Sequence, residues 1–341
     1  MSRLATLRRS LLAGLLAAAV GCSGGLRQYD LHGASMGTSW RVTVLTEPGT
    51  AEPLQAAQVQ AILDRIEQRM SNWRADSEIS RFNRHPAGCM AVSVPTREVV
   101  RASLDLSERS GGYFDPTLSA LIDLWGFGVD AAPPAPPAEP LLQRLRAQSG
   151  YRNIALRGER LCKAQGPVAL NLSAIAKGYA VDRVAAALRQ LGYRRFLVEV
   201  GGELYGQGRN GRGEPWQIGI EQPQARLGRN LLATVRLDGR GVATSGDYRN
   251  YYELDGKRYS HLIDPLSGRP VRHQAAAVTV LHASTMLADG WATALLVAGP
   301  EKGRELAQRE NLAALMAVRD GDGFAVWKSP AWPPAEPAPT N

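Results

Sequence analysis

Two oxygen-bearing side chains near the C-terminal end of the chain have the types and the spacing of a cation site. Asp289 and Thr293 are four residues apart in Ser284–Ala298, a stretch whose pattern predicts a helix, so their side chains lie on one face. A carboxylate and a hydroxyl are hard oxygen donors, which suit Mg²⁺ completed by substrate phosphate and water. The apolar neighbours Leu287 and Trp291 make a merely solvated face the weaker alternative.

A second predicted helix, Ala174–Leu191, begins in a way that suits an anionic ligand. Asn171, Ala174 and Lys177 are spaced three apart, so they share one face at its N-terminal end. A helix N-terminus offers unpaired N–H groups and the positive end of the helix dipole, and Lys177 adds a formal charge. The alternative is that Asn171 is a plain N-cap and that Lys177 lies in solvent.

Two aromatic residues lie in predicted loops at the ends of helices. A flat heteroaromatic ring would stack on the side chains of Trp73 and Tyr113. Asp115, close to Tyr113, could accept hydrogen bonds from an amine or a hydroxyl of the same ligand. The alternative is that both aromatic residues belong to an ordinary core.

One histidine and one arginine have the types needed for transfer chemistry. His261 is the one histidine embedded in a distinctive segment, Ser260–Pro265. Histidine is the side chain that most often removes a proton from a hydroxyl near neutral pH. Arg249 would stabilise charge on a transferring phosphate. The alternatives are a structural histidine bonded to a backbone carbonyl and an ion pair of Arg249 with Asp247.

The elements that must position these residues are helices early and late in the chain and strands in the middle. This distribution predicts a mixed α/β (α+β) fold. The predicted helices are Glu52–Met70, Thr96–Ser110, Ala174–Leu191, Ser284–Ala298 and Glu301–Glu310. The predicted strands are Ser39–Thr46, Arg195–Val200, Pro215–Ile220, Leu231–Leu237, Gly241–Ser245, Tyr251–Leu254, Ala276–His282, Leu312–Arg319 and Phe324–Lys328.

The composition is that of an ordinary globular protein. The 341 residues are 44% hydrophobic and 21% charged, which excludes a disordered chain, a collagen and a coiled-coil rod. The chain lacks a G-x-x-x-x-G-K-[ST] and an H-E-x-x-H, so P-loop nucleotide sites and zinc-protease sites are excluded. The net charge of +8 is spread without a basic block interleaved with aromatics, so no nucleic-acid partner is expected.

The first 21 residues have the pattern of a secretory signal. Arg3, Arg8 and Arg9 precede the apolar run Leu11–Val20, which is too short to span a membrane. The run ends in small residues before Cys22, an arrangement that resembles a bacterial lipobox whose cysteine is lipidated. The alternative is a plain cleaved signal peptide with an incidental cysteine. The protein is therefore expected in the bacterial cell envelope, facing the periplasm and anchored to a membrane by lipid.

The two remaining cysteines, Cys89 and Cys162, bear on the same compartment. Outside the cytoplasm the surroundings are oxidising, so an intramolecular disulfide between them is possible. The sequence leaves this pairing and a pair of buried thiols equally open.

Ten segments of the chain are too specific to be generic scaffold. Taken in order, they resemble the ApbE family, the FAD:protein FMN transferases, over about residues 30–328. The segments are Met36–Thr38, Met70–Trp73, Asp76–Asn83, Gly111–Thr117, Leu124–Gly128, Asn171–Asp182, Val200–Glu203, Thr244–Arg249, Ser260–Pro265 and Ala288–Thr293.

The resemblance implies a two-lobed fold with FAD in the cleft between the lobes, and it assigns roles to individual residues. It implies Mg²⁺ bound by the backbone carbonyl of Ala174 with Asp289 and Thr293, and the catalytic residues are expected to be His261, Asp289 and Arg249. The residues implied for FAD are Met36, Trp73, Tyr113, Phe114, Asp115, Asn171, Lys177 and Ile263. The chain divides into a signal peptide (1–21), an anchor or linker (22–30), the transferase domain (31–328) and a proline-rich disordered tail (329–341).

The activity that the resemblance implies is protein flavinylation. The FMN part of FAD would pass to a threonine hydroxyl of a target flavoprotein, and AMP would leave. The implied acceptors carry a Ser/Thr-Gly-Ala-Ser/Thr-type sequence in membrane redox complexes and other periplasm-facing flavoproteins, beside which a lipid anchor would hold the enzyme. Two alternatives stay open: an Mg²⁺-dependent FAD pyrophosphatase, in which water replaces threonine, and a flavin-binding lipoprotein without catalysis.

Overall fold

The computed structural model describes residues 25–48, 54–129, 135–164, 166–223, 230–248 and 250–334. Three expectations from the sequence fall outside these residues: the signal peptide, the lipidated Cys22 and the phosphate-stabilising Arg249. Among the helices that are described, none is both long enough and apolar enough to cross a membrane.

The described residues form seven α-helices and seventeen β-strands. The helices are α1 (Ala56–Met70), α2 (Glu78–Arg84), α3 (Val94–Arg109), α4 (Ser119–Leu124), α5 (Glu139–Gln148), α6 (Ala176–Gln190) and α7 (Thr285–Arg309). The strands of the first half are β1 (Arg27–Ser35), β2 (Thr38–Thr46), β3 (Gly88–Ala91), β4 (Ile154–Arg157), β5 (Arg160–Lys163), β6 (Arg195–Val200) and β7 (Glu203–Gln207). Those of the second half are β8 (Trp216–Glu221), β9 (Leu231–Leu237), β10 (Arg240–Gly246), β11 (Tyr251–Leu254), β12 (Lys257–Ser260), β13 (Ile263–Asp264), β14 (Arg269–Pro270), β15 (Ala275–His282), β16 (Ala313–Asp320) and β17 (Gly323–Lys328).

Eight of the strands make one antiparallel sheet in the order β1-β2-β6-β7-β10-β15-β16-β17. Successive side chains of a strand point to opposite faces, so a sheet covered on both sides is apolar at consecutive positions. In β2, Val44 joins the large core beneath the helices and Leu45 joins a smaller core on the other face. Val280 and Leu281 of β15 divide in the same way. The helices thus cover one face, and the β8–β9 hairpin covers the other.

The helices α6 and α7 pack against each other and against the sheet. Gly178 makes their close approach possible, because a Cβ atom there would lie 2.3 Å from the Thr285 carbonyl oxygen and 2.8 Å from the Asp289 Cβ. Any side chain at this position would push the helices apart. The contact therefore brings the first turn of α6 against the carboxylate carried by α7.

Asp182 of α6 fixes the other end of this contact by capping α7. Its Oδ1 accepts the Thr285 N–H at 2.8 Å, and its Oδ2 accepts the Ser284 hydroxyl at 2.7 Å and the Met286 N–H at 3.1 Å. A carboxylate at a helix N-terminus satisfies orphan donors and complements the helix dipole. The cap therefore sets where α7, and with it Asp289, lies along α6.

The Asp182→Ala variant is expected to lose about 2 kcal/mol of stability, because three donors at the start of α7 lose their acceptor. Thermal unfolding measures the loss. Arg183→Ala, at the exposed neighbouring position, is the matched control. Equal midpoints for the two variants would show that Asp182 does not cap the helix.

A smaller unit stands beside this main body and has its own core. We call residues 118–129, 135–148 and 251–270 the small lobe; it holds α4, α5 and β11–β14. Trp125 is at its centre, with its ring stacked on Tyr259 at 5.8 Å between centroids and its Nε1 donating to the Gly268 carbonyl at 2.8 Å. The two-lobed architecture predicted from the sequence is therefore present.

Cys89 and Cys162 form a disulfide, which resolves the question that the sequence left open. They are directly opposed residues of β3 and β5. The bond closes a long loop, since the two cysteines are 73 residues apart.

Replacing both cysteines by alanine is expected to lower the free energy of unfolding by about 4 kcal/mol, because the loop-closure entropy returns to the unfolded chain. Urea unfolding with and without a thiol reductant measures this. The reductant should lower the wild-type midpoint and leave that of the double variant unchanged. A wild-type midpoint that does not respond to reduction would contradict the prediction.

The structure moves two boundaries that the sequence predicts. The domain begins before residue 31, because β1 starts at Arg27. The packed part of the domain extends beyond residue 328: Ser329 is buried, and the Trp332 ring packs in the smaller core. The two C-terminal helices predicted from the sequence are both present within α7, which is broken between them at Gly299, whose φ of 78° is outside the helical region.

Candidate functional site

A cleft of about 810 Å³ lies between the small lobe and the main body. Both lobes contribute to its walls, and most of the residues singled out in the sequence meet there. Those that line it are Trp73, Tyr113, Phe114, Asp115, Asn171, Ala174, Lys177, His261, Ile263, Asp289 and Thr293.

Met36 is placed differently from this group. It lies at the turn between β1 and β2 and lines a separate, shallower hollow with Glu67. This hollow adjoins the main cleft, since Thr38 and Ser39 line both. Met36 has a positive φ of 52°, so the turn holds its backbone in the left-handed region, which non-glycine residues seldom adopt.

The floor of the cleft carries a group of charged residues from three elements. The Lys177 ammonium of α6 donates to Glu203 Oε1 of β7 at 2.5 Å. Asp289 of α7 is 4% exposed, and its Oδ2 accepts the Gly178 N–H at 3.0 Å. Burial raises the pKa of the Asp289 carboxyl, and the nearby Lys177 ammonium opposes this rise.

The hydrogen bond to Asp289 changes the start of α6. In a regular helix the Gly178 N–H would bond to the Ala174 carbonyl, four residues earlier. Instead, α6 begins at Ala176, and the first carbonyl to accept within it is that of Ile175. The Ala174 carbonyl therefore lies ahead of the regular hydrogen bonds of the helix, and Ala174 lines the same cleft as Asp289.

Oxygen donors complete this part of the cleft. Thr293 and Ser245, which is on β10, have hydroxyl oxygens 2.9 Å apart. Within the described residues no three His, Cys, Asp or Glu side chains cluster as metal ligands do. A cation here would rest on one carboxylate with hydroxyl, carbonyl and substrate oxygens, a donor set that fits Mg²⁺ better than a transition metal.

The loop before α6 is held by its own polar side chains. Asn171 Oδ1 accepts the Ser173 N–H at 3.0 Å and the Ser173 hydroxyl at 2.6 Å. Leu170 is fixed from both sides by Asn83, whose side chain accepts its N–H at 2.7 Å and donates to its carbonyl at 2.8 Å. Asn171 is thus a turn-forming residue at the edge of the cleft and not the N-cap of α6, which is Ile175.

Aromatic side chains lie at the mouth of the cleft. Trp73 is 67% exposed, which excludes the core alternative for this residue. Tyr113 is half-buried, and Phe114 is buried in the main core. An exposed indole ring at a cleft mouth is a stacking surface for a flat ligand.

Asp115 holds the loop that carries these rings. Its Oδ1 accepts the Thr117 N–H at 2.8 Å and the Thr117 hydroxyl at 2.6 Å, and its Oδ2 accepts the Tyr151 N–H at 2.9 Å. Burial raises the pKa of the Asp115 carboxyl, and the bonds from Thr117 and Tyr151 oppose the rise. The main role of Asp115 at the cleft is therefore to fix the conformation of the loop that carries these aromatic residues.

His261 faces the cleft from the small lobe. Its Nδ1 lies 3.0 Å from the Asn250 carbonyl, which can only accept, so this nitrogen carries the proton and Nε2 is left as the acceptor. The ring meets Phe127 edge-on at 6.3 Å between centroids. Burial lowers the pKa of His261, so the ring is neutral at pH 7.

Sequence reasoning missed Glu203, Ser245 and Phe127 as lining residues. Each stands in a segment that was noticed as specific, but none has a partner at helical spacing. Glu203 follows two glycines with φ values of 66° and 101°, and this Gly201-Gly202 turn is the one signal that could have singled it out.

Known proteins resemble this chain along most of its length. The ApbE family matches residues 36–316. The chain is 40% identical to an FAD:protein FMN transferase of Vibrio cholerae over 95% of this chain and 97% of that protein. It is 39% identical to one of Klebsiella pneumoniae over 94% of this chain and 93% of that protein.

Solved structures resemble it in fold as well. The apo form of the Pseudomonas stutzeri flavinyl transferase ApbE superimposes with a TM-score of 0.83 at 43% identity, covering 90% of this chain and 96% of that one. The flavin transferase ApbE of Vibrio cholerae gives a TM-score of 0.84 at 38% identity, covering 90% and 98%.

Proposed function

Because the chain belongs to the ApbE family and is a transferase that moves FMN from FAD to a target protein, we propose that it does so by an Mg²⁺-dependent transfer to a threonine hydroxyl, with release of AMP. One observation carries this proposal. A single cleft brings together the Asp289–Thr293 pair, the Lys177 ammonium and the His261 ring. The proposed reaction needs one group of each kind: a cation site, an anion site and a proton acceptor.

The donors around Asp289 support a magnesium ion. Asp289 and Thr293 would hold it through side-chain oxygens, and Ala174 through its backbone carbonyl. Bound there, Mg²⁺ supplies a Lewis acid that neutralises charge on the pyrophosphate. A buried carboxylate without a full counter-charge is costly, so a cation beside Asp289 would also offset the desolvation cost of burying this carboxylate.

Lys177 and the first turn of α6 would bind the pyrophosphate of FAD. The ammonium lies at the floor of the cleft with its side chain 30% exposed, so a ligand can reach it. The N-terminal end of the helix adds the favourable end of its dipole. Together they place positive charge where the phosphorus under attack would lie.

His261 would accept the proton of the threonine hydroxyl at Nε2. The threonine oxygen forms a bond to the phosphorus on the FMN side of the pyrophosphate. The bond from that phosphorus to the bridging oxygen breaks, and AMP leaves with the electron pair. The Asn250 carbonyl keeps the ring in the required tautomer during this transfer.

Trp73 and Tyr113 would hold the flat ring systems of FAD at the mouth of the cleft. Stacking on an exposed indole removes apolar area of both partners from water. The remaining contacts to FAD implied for the family, Met36, Phe114, Asp115, Asn171 and Ile263, surround the same path or, for Met36, the adjoining hollow.

The setting of the enzyme belongs to the same proposal. We place it at the periplasmic side of a bacterial membrane, anchored through a lipidated Cys22 after removal of residues 1–21. Its acceptors would be flavoproteins with a Ser/Thr-Gly-Ala-Ser/Thr-type sequence in membrane redox complexes. The signal-like pattern of the first 22 residues supports this placement.

The proposal is tested by weighing an acceptor. The purified protein is mixed with FAD, Mg²⁺ and a carrier protein bearing Ser-Gly-Ala-Thr, and the carrier is analysed by mass spectrometry while AMP is assayed. The matched control is a carrier with Ser-Gly-Ala-Ala. The expected result is a gain of one FMN by the first carrier alone, abolished by a chelator.

The other outcomes separate the alternatives. AMP released without a gain in carrier mass would favour the FAD pyrophosphatase. Bound FAD with no AMP would leave the flavin-binding lipoprotein. Transfer that survives the chelator would overturn the role of magnesium.

A further inference from the structure

Glu203 is a buried carboxylate of the cleft that the proposed chemistry does not use. Its side chain is 4% exposed. Its Oε1 accepts from Lys177 at 2.5 Å, while its Oε2 is buried and has no hydrogen-bond partner among the residues that the structure describes. A half-satisfied buried carboxylate is expensive, so its presence calls for a reason other than stability.

The backbone around Glu203 places its side chain against that of Lys177. The Gly201-Gly202 turn leads directly into β7, whose first residue is Glu203. A Cβ atom at Gly201 would lie 2.9 Å from Thr38 Cγ2 and 3.2 Å from Lys177 Cδ. The aliphatic part of the Lys177 side chain therefore runs through a space that is open only because residue 201 is a glycine. The Glu203 carboxylate lies at the end of this space.

The charges near Glu203 show what this arrangement costs. Burial raises the pKa of its carboxyl to about 7; the Lys177 ammonium opposes this rise and Asp289 adds to it. The carboxylate is thus less stable in the folded protein than in water, even with its lysine partner.

We propose that Glu203 is a positioning residue of the transfer reaction: it holds the Lys177 ammonium at the floor of the cleft, ready for the pyrophosphate, at the expense of the stability of the empty protein. The inference rests on the proposed function, because it takes Lys177 to be a ligand of the pyrophosphate. Without Glu203, a lysine side chain that is already 30% exposed loses the carboxylate that fixes its ammonium at the floor of the cleft.

The first test compares Glu203→Gln and Glu203→Ala in the full-length protein. Glutamine keeps an oxygen that accepts from Lys177, whereas alanine keeps none. We expect kcat/KM for FAD to fall about tenfold in the glutamine variant and about a hundredfold in the alanine variant, mainly through KM. Glu98→Gln is the matched control, because Glu98 also bonds a side chain of α6, the Tyr179 hydroxyl at 2.7 Å, outside the cleft.

Stability provides a second readout that a merely structural role would not produce. A carboxyl whose folded pKa lies above its unfolded value of 4.5 stabilises the protein fully below that value and loses this effect as the pH rises through about 7. Glu203→Gln should therefore raise Tm by about 5 °C at about pH 8 and change it little at about pH 4.5. A glutamine variant that loses stability and activity together would show a structural role and overturn the proposal, and so would unchanged kcat/KM.

A double variant separates this inference from the proposed function. If Glu203 acts through Lys177, adding Glu203→Gln to Lys177→Met costs no further activity. Lys177→Met with an unchanged KM for FAD would contradict the pyrophosphate role of Lys177 itself. A raised KM in Lys177→Met together with a full additional loss in the double variant would contradict only the role of Glu203.

Discussion

The Asp289→Asn variant is expected to transfer FMN about a thousandfold more slowly than the wild-type protein. The amide has the same shape, and its oxygen can still accept the Gly178 N–H, so the junction of α6 and α7 should persist. What disappears is the one negative charge that α7 presents to a cation in the cleft. Loss of charge without loss of shape therefore isolates the electrostatic role of this residue.

The measurement is the initial rate of carrier flavinylation over a range of Mg²⁺ concentrations. A weakened cation site shifts the Mg²⁺ dependence upward, so part of the lost rate should return at high Mg²⁺. The matched control is Asp238→Asn, since Asp238 also accepts a glycine N–H, that of Gly208 at 2.7 Å, but lies in the turn before β10 and outside the cleft. An Asp289→Asn rate within a few-fold of wild type would remove Asp289 from the reaction.

Replacing His261 by alanine is expected to lower kcat/KM for the acceptor by about two to four orders of magnitude. The wild-type rate should fall at acidic pH, because protonation of Nε2 removes the acceptor for the threonine proton. Burial lowers the pKa of His261 below its ordinary 6.5, so this loss should occur below that value and the ring should be active throughout the neutral range. Free imidazole should restore part of the activity of the alanine variant.

The pH profile of kcat/KM checks this expectation, with His32→Ala, an exposed position on β1, as the control. Glu203 ionises in the same cleft, so its variants belong in the comparison. A limb that persists in His261→Ala and disappears in Glu203→Gln would assign the titration to Glu203. If the His261→Ala variant transfers FMN as fast as the wild-type protein, His261 is not the general base.

The predicted cation and anion sites illustrate what periodicity can reveal. Asp289 and Thr293 could be paired from the sequence because a helix repeats about every four residues and sets both on one face. The same rule placed Lys177 at the start of α6. Their meeting in one cleft, however, depends on the close packing at Gly178, a tertiary contact that no local pattern encodes.

Glu203 shows why the rest of the site was harder to predict. Glu203 lies on strand β7, whereas its partner Lys177 lies on helix α6, 26 residues earlier in the chain. Local spacing carries no information about such a pair; a buried charge is recognised only when its surroundings are known. The segment after residue 328 was hard to predict for the same reason. Its five prolines suggest disorder, yet the Trp332 ring has enough apolar surface to pack in the smaller core.

The small lobe has a consequence for how the protein is made. Its two parts are separated by more than a hundred residues, and β10 and β15 pair across the second part. Contacts between distant segments form slowly, because the chain must lose the entropy of closing the loop between them before the contacts stabilise the fold. A nascent chain that has not yet reached residue 289 lacks both Asp289 and the part of α7 that lines the cleft.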